Sequence, residues 1–193
     1  MPKVKQFNQE KTLEKAMNIF WKSGYHATSI QDLVDDLGIS RSSIYDTYGG
    51  KRELFKKAFQ LYRTTNISGM TQFLKTQKST KIGLHKLFEM AIQESVSDID
   101  KKGCFVINTA TELVPGDEEI QRILQENESI IEKIFYDFLL HGQQMGEIPK
   151  NKNLKTLSAL LFTLYMGLRV KAKVQPNRDK MLSLVDTTLT LLD

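Results

Sequence analysis

Apolar residues recur at helical spacing along almost the whole chain, and no stretch alternates apolar with polar for long enough to make a strand. Leu13, Ala16, Met17 and Phe20 fall at i, i+3, i+4 and i+7, and Gly24 stops that first helix. Thr28-Ser29-Ile30-Gln31 reads as a hydroxyl cap with Gln three residues on, ahead of Leu33, Val34 and Leu37 on one face. Gly38 ends this short second helix. Ser40 caps a third, carrying Ile44 and Tyr45, and Gly49-Gly50 breaks the chain again. A long fourth helix starts near Lys51, with Leu54, Phe55, Ala58, Phe59 and Tyr62 inward. Further helices are expected around residues 84–92, 104–113, 120–140, 154–173 and 181–192. The expected fold is all-α, with about nine helices.

The chain has 193 residues, 40% of them hydrophobic, enough for one large or two small soluble domains with a sizeable core. No apolar run follows the first five residues, and the densest apolar stretch, residues 157–168, is too short to span a bilayer. A cytoplasmic location is therefore expected. The sole cysteine, Cys104, excludes a disulfide framework and any multi-cysteine zinc site. The formal charge of +4 is unevenly placed: residues 1–60 hold ten Lys and Arg against seven Asp and Glu, the remainder seventeen against sixteen. Most of the excess sits at the N-terminal end, where it fits a head that binds a polyanion.

The two short helices, joined by a turn containing Gly38, match the spacing of a helix-turn-helix. Ile39 and Ile44 face inward with Leu33, Val34 and Leu37, locking the second helix of the pair onto the first. Ser40, Arg41, Ser42, Ser43 and Asp46 are left outward at the end that enters a major groove. Arg41 can make a two-pronged contact with a guanine edge. The serines, Tyr45, Tyr48 and Lys51 suit phosphates, which set register without carrying sequence information. Helix N-termini at Thr28-Ser29 and at Gly50-Lys51 offer two further anion sites.

These residues carry a resemblance. Residues 24–55, GYHATSIQDLVDDLGISRSSIYDTYGGKRELF, resemble the DNA-binding domain of the TetR family of transcriptional regulators. In that likeness Thr28 and Ser29 correspond to a phosphate-binding cap, Ser40, Arg41, Ser42 and Ser43 to groove-facing positions, Tyr45 and Tyr48 to aromatics near the DNA backbone, and Lys51 to a phosphate lysine. Thr47 stands where the family often has His, and Tyr48 where it usually has Phe. The resemblance implies a helix-turn-helix DNA-binding domain over residues 1–60 and an all-helical ligand-binding and dimerisation domain over residues 61–193. It also implies a homodimer on a palindromic operator in double-stranded DNA, released by a small-molecule inducer, with no cofactor.

Residues 157–168 are apolar around most of a helix, which implies burial on two sides. Packing of Leu161, Leu164, Leu168, Val185 and Leu189 against a second copy, as a four-helix bundle, accounts for this. Phe88, Phe105, Asn108, Phe135, Phe138, Phe162 and Tyr165 are candidates to line an apolar pocket, pointing to an apolar or flat ligand. Cys104 follows Lys101 and Lys102 at a helix start, where cations and the dipole favour a thiolate, so a redox or electrophile sensor is a second reading. A helical interaction module that does not bind DNA is a third. His85 and Glu89 share a helix face but lack a third ligand, so no metal site is expected. Asn108 and Glu112 read as a surface or core-capping pair. No nucleophile-and-base constellation is recognisable, and catalysis is not expected.

Overall fold

In the computed structural model, residues 7–193 are described; the first residues, read above for a leader, lie outside them. Among the described residues the fold is all-α: α1 (Gln9–Ser23), α2 (Ile30–Leu37), α3 (Arg41–Tyr48), α4 (Lys51–Lys75), α5 (Thr80–Val96), α6 (Phe105–Leu113), α7 (Glu118–Gln144), α8 (Leu154–Val174) and α9 (Arg178–Leu189). Short 3-10 turns follow α6 at Val114–Gly116 and α9 at Thr190–Leu192. None of these helices is long and apolar enough to cross a membrane.

Helix starts follow side-chain chemistry. Asn8, Ser29, Ser40, Ser79, Asp117, Asn153 and Asn177 each accept a hydrogen bond from a first-turn amide that would otherwise lack a partner. The capping box of α2 differs from the expected one. Ser29 is the cap and its partner is the Asp32 carboxylate, not Gln31. Thr28 is buried and its hydroxyl donates to the Gly24 carbonyl at 2.6 Å, bracing the preceding turn. Gly38 closes α2 in the left-handed region, at φ 67°, where a Cβ is strained.

Two buried clusters share α4. The first joins Ala16, Phe20, Leu33, Ile39, Ile44, Leu54, Phe55 and Phe59 of the head, and it continues into Cys104, Phe105, Leu113 and Ile120. The second joins Met70 and Leu74 to the faces of α5, α7, α8 and α9. Phe105 meets Phe55 and Phe59 edge to face, with centroids 5.8 and 5.2 Å apart, so α6 is packed directly against the head. Full burial of each such ring contributes about 1.5–3 kcal/mol, and each edge-to-face pair about 0.5–1.5 kcal/mol more. Head and body are therefore continuous through α4 and α6.

Candidate functional site: a groove-reading head and a buried cavity

The core sets which side of α3 faces outward. Ile44 and Tyr48 point in, leaving Arg41, Ser42, Tyr45 and Asp46 exposed, Tyr45 at 52%. Ser40 caps the helix by accepting from the Ser43 amide at 3.1 Å. Its hydroxyl also pairs with those of Ser42 and Ser43, each at 2.9 Å. Three hydroxyls are thus held together at the start of a short, exposed helix whose first residue is Arg41.

Tyr48 and Thr28 are placed differently from expectation. Tyr48 is 5% exposed, and its hydroxyl donates to the Gln9 carbonyl at 3.0 Å, tying α3 to α1. Burial pushes its phenol pKa up. A phosphate has no access to that hydroxyl while the bond to Gln9 stands. Buried Thr28 likewise leaves only Ser29 exposed at the start of α2, and the capping box already engages the Ser29 and Asp32 amides there. The start of α4 is the open one, since Gly50 supplies no side-chain cap and leaves first-turn amides for an anion.

Lys51 has a second engagement. Its ammonium lies over the Tyr25 ring, 4.3 Å from the centroid. Burial lowers its pKa, opposed by the carboxylates of Glu112 and Asp32. Glu112, read from sequence as half of a surface or core-capping pair, reaches across from α6 and accepts from the Tyr25 and His26 amides at 3.0 and 2.6 Å. Gly24 has φ 84°, where a Cβ is strained, and one placed there would also come within 2.8 Å of that carboxylate and push it aside. Arg52 forks onto Asp117 at 2.7 and 3.2 Å and reaches Glu119 at 2.7 Å; Lys56 also meets Glu119. Trp21 donates to the Gly103 carbonyl at 2.9 Å. The head is thus pinned to the body at several points around α4.

In the body, the expected aromatic pocket is mostly core. Phe88 and Phe135 are fully buried and stacked 6.2 Å apart, and Phe105 belongs to the head cluster. Asn108 brackets the chain by donating to the Lys102 carbonyl at 2.8 Å, Phe162 packs against the body core, and Phe138 borders an open groove with Leu74 and His141. Only Tyr165 lines an internal cavity, of about 30 Å³, bounded by α4, the start of α6, α7 and α8. Its walls include Arg63, Met70, Asn127, Ile131 and Arg169. Arg63 and Arg169 are each 5% exposed and Asn127 is 1% exposed. None of the three was singled out from the sequence. The available signal was a polar residue standing in an apolar stripe, as Asn127 does between Ile120 and Ile131.

Cys104 also borders this cavity, as a buried thiol that accepts from the Tyr62 hydroxyl at 3.8 Å. Lys102 places its ammonium over the Trp21 ring and Lys101 is exposed. Burial denies the thiol the solvent access that a reactive cysteine needs. His85 faces Asp186 at 3.2 Å and Glu89 faces Arg178, so the two do not converge on one point.

The presumed dimer face is corrected as well. Leu161, Leu168, Val185 and Leu189 are buried in the chain's own core, and Leu164 packs against it. The apolar residues left outward are Leu160, Val170 and Val174 on α8, Leu184 on α9 and Leu191 in the turn that follows it. With Thr163 and Gly167, those of α8 follow a 3-4-3-4 spacing, the seam of a left-handed helix pair.

A short exposed helix held over a second by a glycine turn, carried on a helical body with an internal cavity, defines a helix-turn-helix DNA-binding regulator. Comparison with known proteins agrees. Residues 13–58 match the family described as bacterial regulatory proteins, tetR family, and residues 83–187 match the tetracyclin repressor-like C-terminal domain. The chain belongs to the TetR family. It is 32% identical to the HTH-type transcriptional regulator YezE of Bacillus subtilis over the full length of both, and 30% identical to the HTH-type transcriptional repressor ComR of Escherichia coli over 98% of this chain and 90% of that one. Among solved structures, the regulator CifR, as a cysteine mutant complexed with 26bp double-strand operator DNA, has the same fold at a TM-score of 0.88, with 24% identity over 99% of this chain and 100% of that one.

Proposed function

We propose that this regulator is a repressor that binds a palindromic operator as a dimer through residues 1–60 and lets go when a small molecule enters the body formed by residues 61–193. The observation that carries this reading is the outward face of α3. Arg41, Ser42, Tyr45 and Asp46 stand exposed on a helix whose other side is locked by Ile44. Arg41 would read a guanine edge, worth about 1–3 kcal/mol of discrimination. The Ser40, Ser42 and Ser43 hydroxyls, Ser29, Tyr45 and the α4 amides beside Lys51 would hold phosphates. Thr28 and Tyr48 would act by keeping the head in shape.

The name of ComR and the operator complex of CifR support repression and operator binding here. The exposed seam on α8 and α9 supports a symmetric four-helix interface. Such a dimer sets its two α3 helices about 34–36 Å apart, one turn of DNA, or somewhat wider. Fluorescence anisotropy with duplexes from upstream of the gene tests the assignment. Saturable, salt-sensitive binding is expected, and Arg41→Ala should lose about 1–3 kcal/mol of affinity and relax base preference at one position of each half-site. Unchanged affinity and preference in Arg41→Ala would take Arg41 out of the groove.

A further inference from the structure

The cavity under α4 has a chemical bias that an aromatic-lined pocket would not have. Two of the residues that line it carry buried donors with no acceptor. Arg63 Nε donates to Asn127 Oδ1 at 3.1 Å, which fixes the amide's orientation and leaves Asn127 Nδ2 buried without an acceptor. Arg169 donates through one terminal nitrogen to Glu94 at 3.0 Å and to the Tyr165 hydroxyl at 2.8 Å, while its Nε is also buried without an acceptor. Buried polar groups in folded proteins are nearly always satisfied, so two orphaned donors on one small cavity point to a missing partner.

Charge narrows the partner's identity. Among the described residues no carboxylate lines the cavity. Glu94 meets Arg169 from the exposed side, and the acceptors of Arg63 are neutral, Asn127 Oδ1 and Gln60 Oε1 at 3.1 Å each. Burial lowers the Arg63 pKa, and Glu126, near enough to favour its charge but not hydrogen-bonded to it, does not offset that; an anion bound beside the guanidinium recovers part of the cost. The rest of the wall is apolar, from Ile67, Met70, Val106, Ile131 and Met166.

We infer that the inducer is a small organic acid, an apolar body bearing a carboxylate, whose oxygens take the free N–H groups of Asn127 and Arg169 and whose charge answers Arg63. This rests on the repressor reading above and names its ligand class. The cavity also explains how such an acid acts. At about 30 Å³ it holds a water or two and no organic acid, so entry must part α4 from α7 and α8. Arg63 adjoins Tyr62, the last α4 residue of the head cluster. Opening therefore displaces the helix that carries the head, and an acid that binds only the opened form shifts the chain away from the DNA-holding one.

The test uses the full-length protein on its operator duplex at constant ionic strength. Butyrate, hexanoate and benzoate are titrated beside the matched neutral alcohols, and both the melting temperature and DNA release are read. At least one acid should raise the melting temperature and release DNA, about tenfold or more tighter than its alcohol. Arg63→Met should keep DNA binding and lose the acid response. Asn127→Asp, which answers Arg63 with a built-in carboxylate and adds no volume, should lose it too and should keep DNA binding. Alcohols as effective as acids, no response to any acid, or an acid response that survives both substitutions would each overturn the inference; in the second case the cavity holds water only. A protein that fails to hold its operator with no acid present sinks the repressor reading instead, so the two failures are separable.

Discussion

Tyr48 and Thr28 show how one hydroxyl can be mistaken for another. Both lie in a segment dense with groups that could meet phosphate, and both turn inward, Tyr48 to the Gln9 carbonyl and Thr28 to that of Gly24. Tyr48→Phe should therefore lower stability by about 1 kcal/mol in urea denaturation and leave operator affinity unchanged. A loss of affinity with no loss of stability would return Tyr48 to the DNA. Arg63, Asn127 and Arg169 teach the complementary lesson. Each occupies a position that helical periodicity assigns to the core, where a polar side chain is tolerated only with partners. The hydrophobic pattern located their helices and hid their chemistry, because periodicity records which face is buried and says nothing of what shares the burial.

The helices themselves were legible, since caps, glycines and apolar stripes agree about where each lies, although α5 runs four residues beyond the expected 84–92 at either end. What escaped was how one element leans on another. Leu161, Leu168, Val185 and Leu189 satisfy the expectation of burial through α5, α7 and their own chain, leaving the outward seam to Leu160, Val170 and Leu184. Two sides of α8 are apolar, and sequence alone gives no means of choosing which side meets a partner. The contact of α4 with the start of α7 was invisible for the same reason. The Arg52 fork holds the Asp117 carboxyl below its ordinary pKa, while Asp117 also caps α7 through the Ile120 amide. A depressed folded-state pKa gives stability that is present above the unfolded value and lost as pH falls through the folded one. The wild-type protein should therefore lose stability below about pH 4, and Asp117→Asn, which keeps a capping side chain but does not titrate, should show a shallower acid limb in thermal melts across pH 3–6.

At the scale of the molecule, DNA reading, pairing of two copies and ligand entry meet on a continuous body. The head is packed on α6 by aromatic rings and pinned by Glu112 and Arg52, so it moves when α4 moves. The proposed pairing uses the α8 and α9 seam. Replacing both Leu160 and Val170 by Glu should yield a monomer by analytical ultracentrifugation, with helical content retained and operator affinity down by about two orders of magnitude or more, because the second head no longer binds as part of one unit. The central claim is that two α3 helices read one symmetric site. Selection of duplexes from a random pool by the full-length protein, followed by titration of the winner, tests it most directly. The expected product is an inverted repeat with half-site centres near one helical turn apart, bound by two chains per duplex with an affinity that falls steeply with salt. Enrichment of no common sequence, or of an asymmetric site occupied by a single chain, would contradict it.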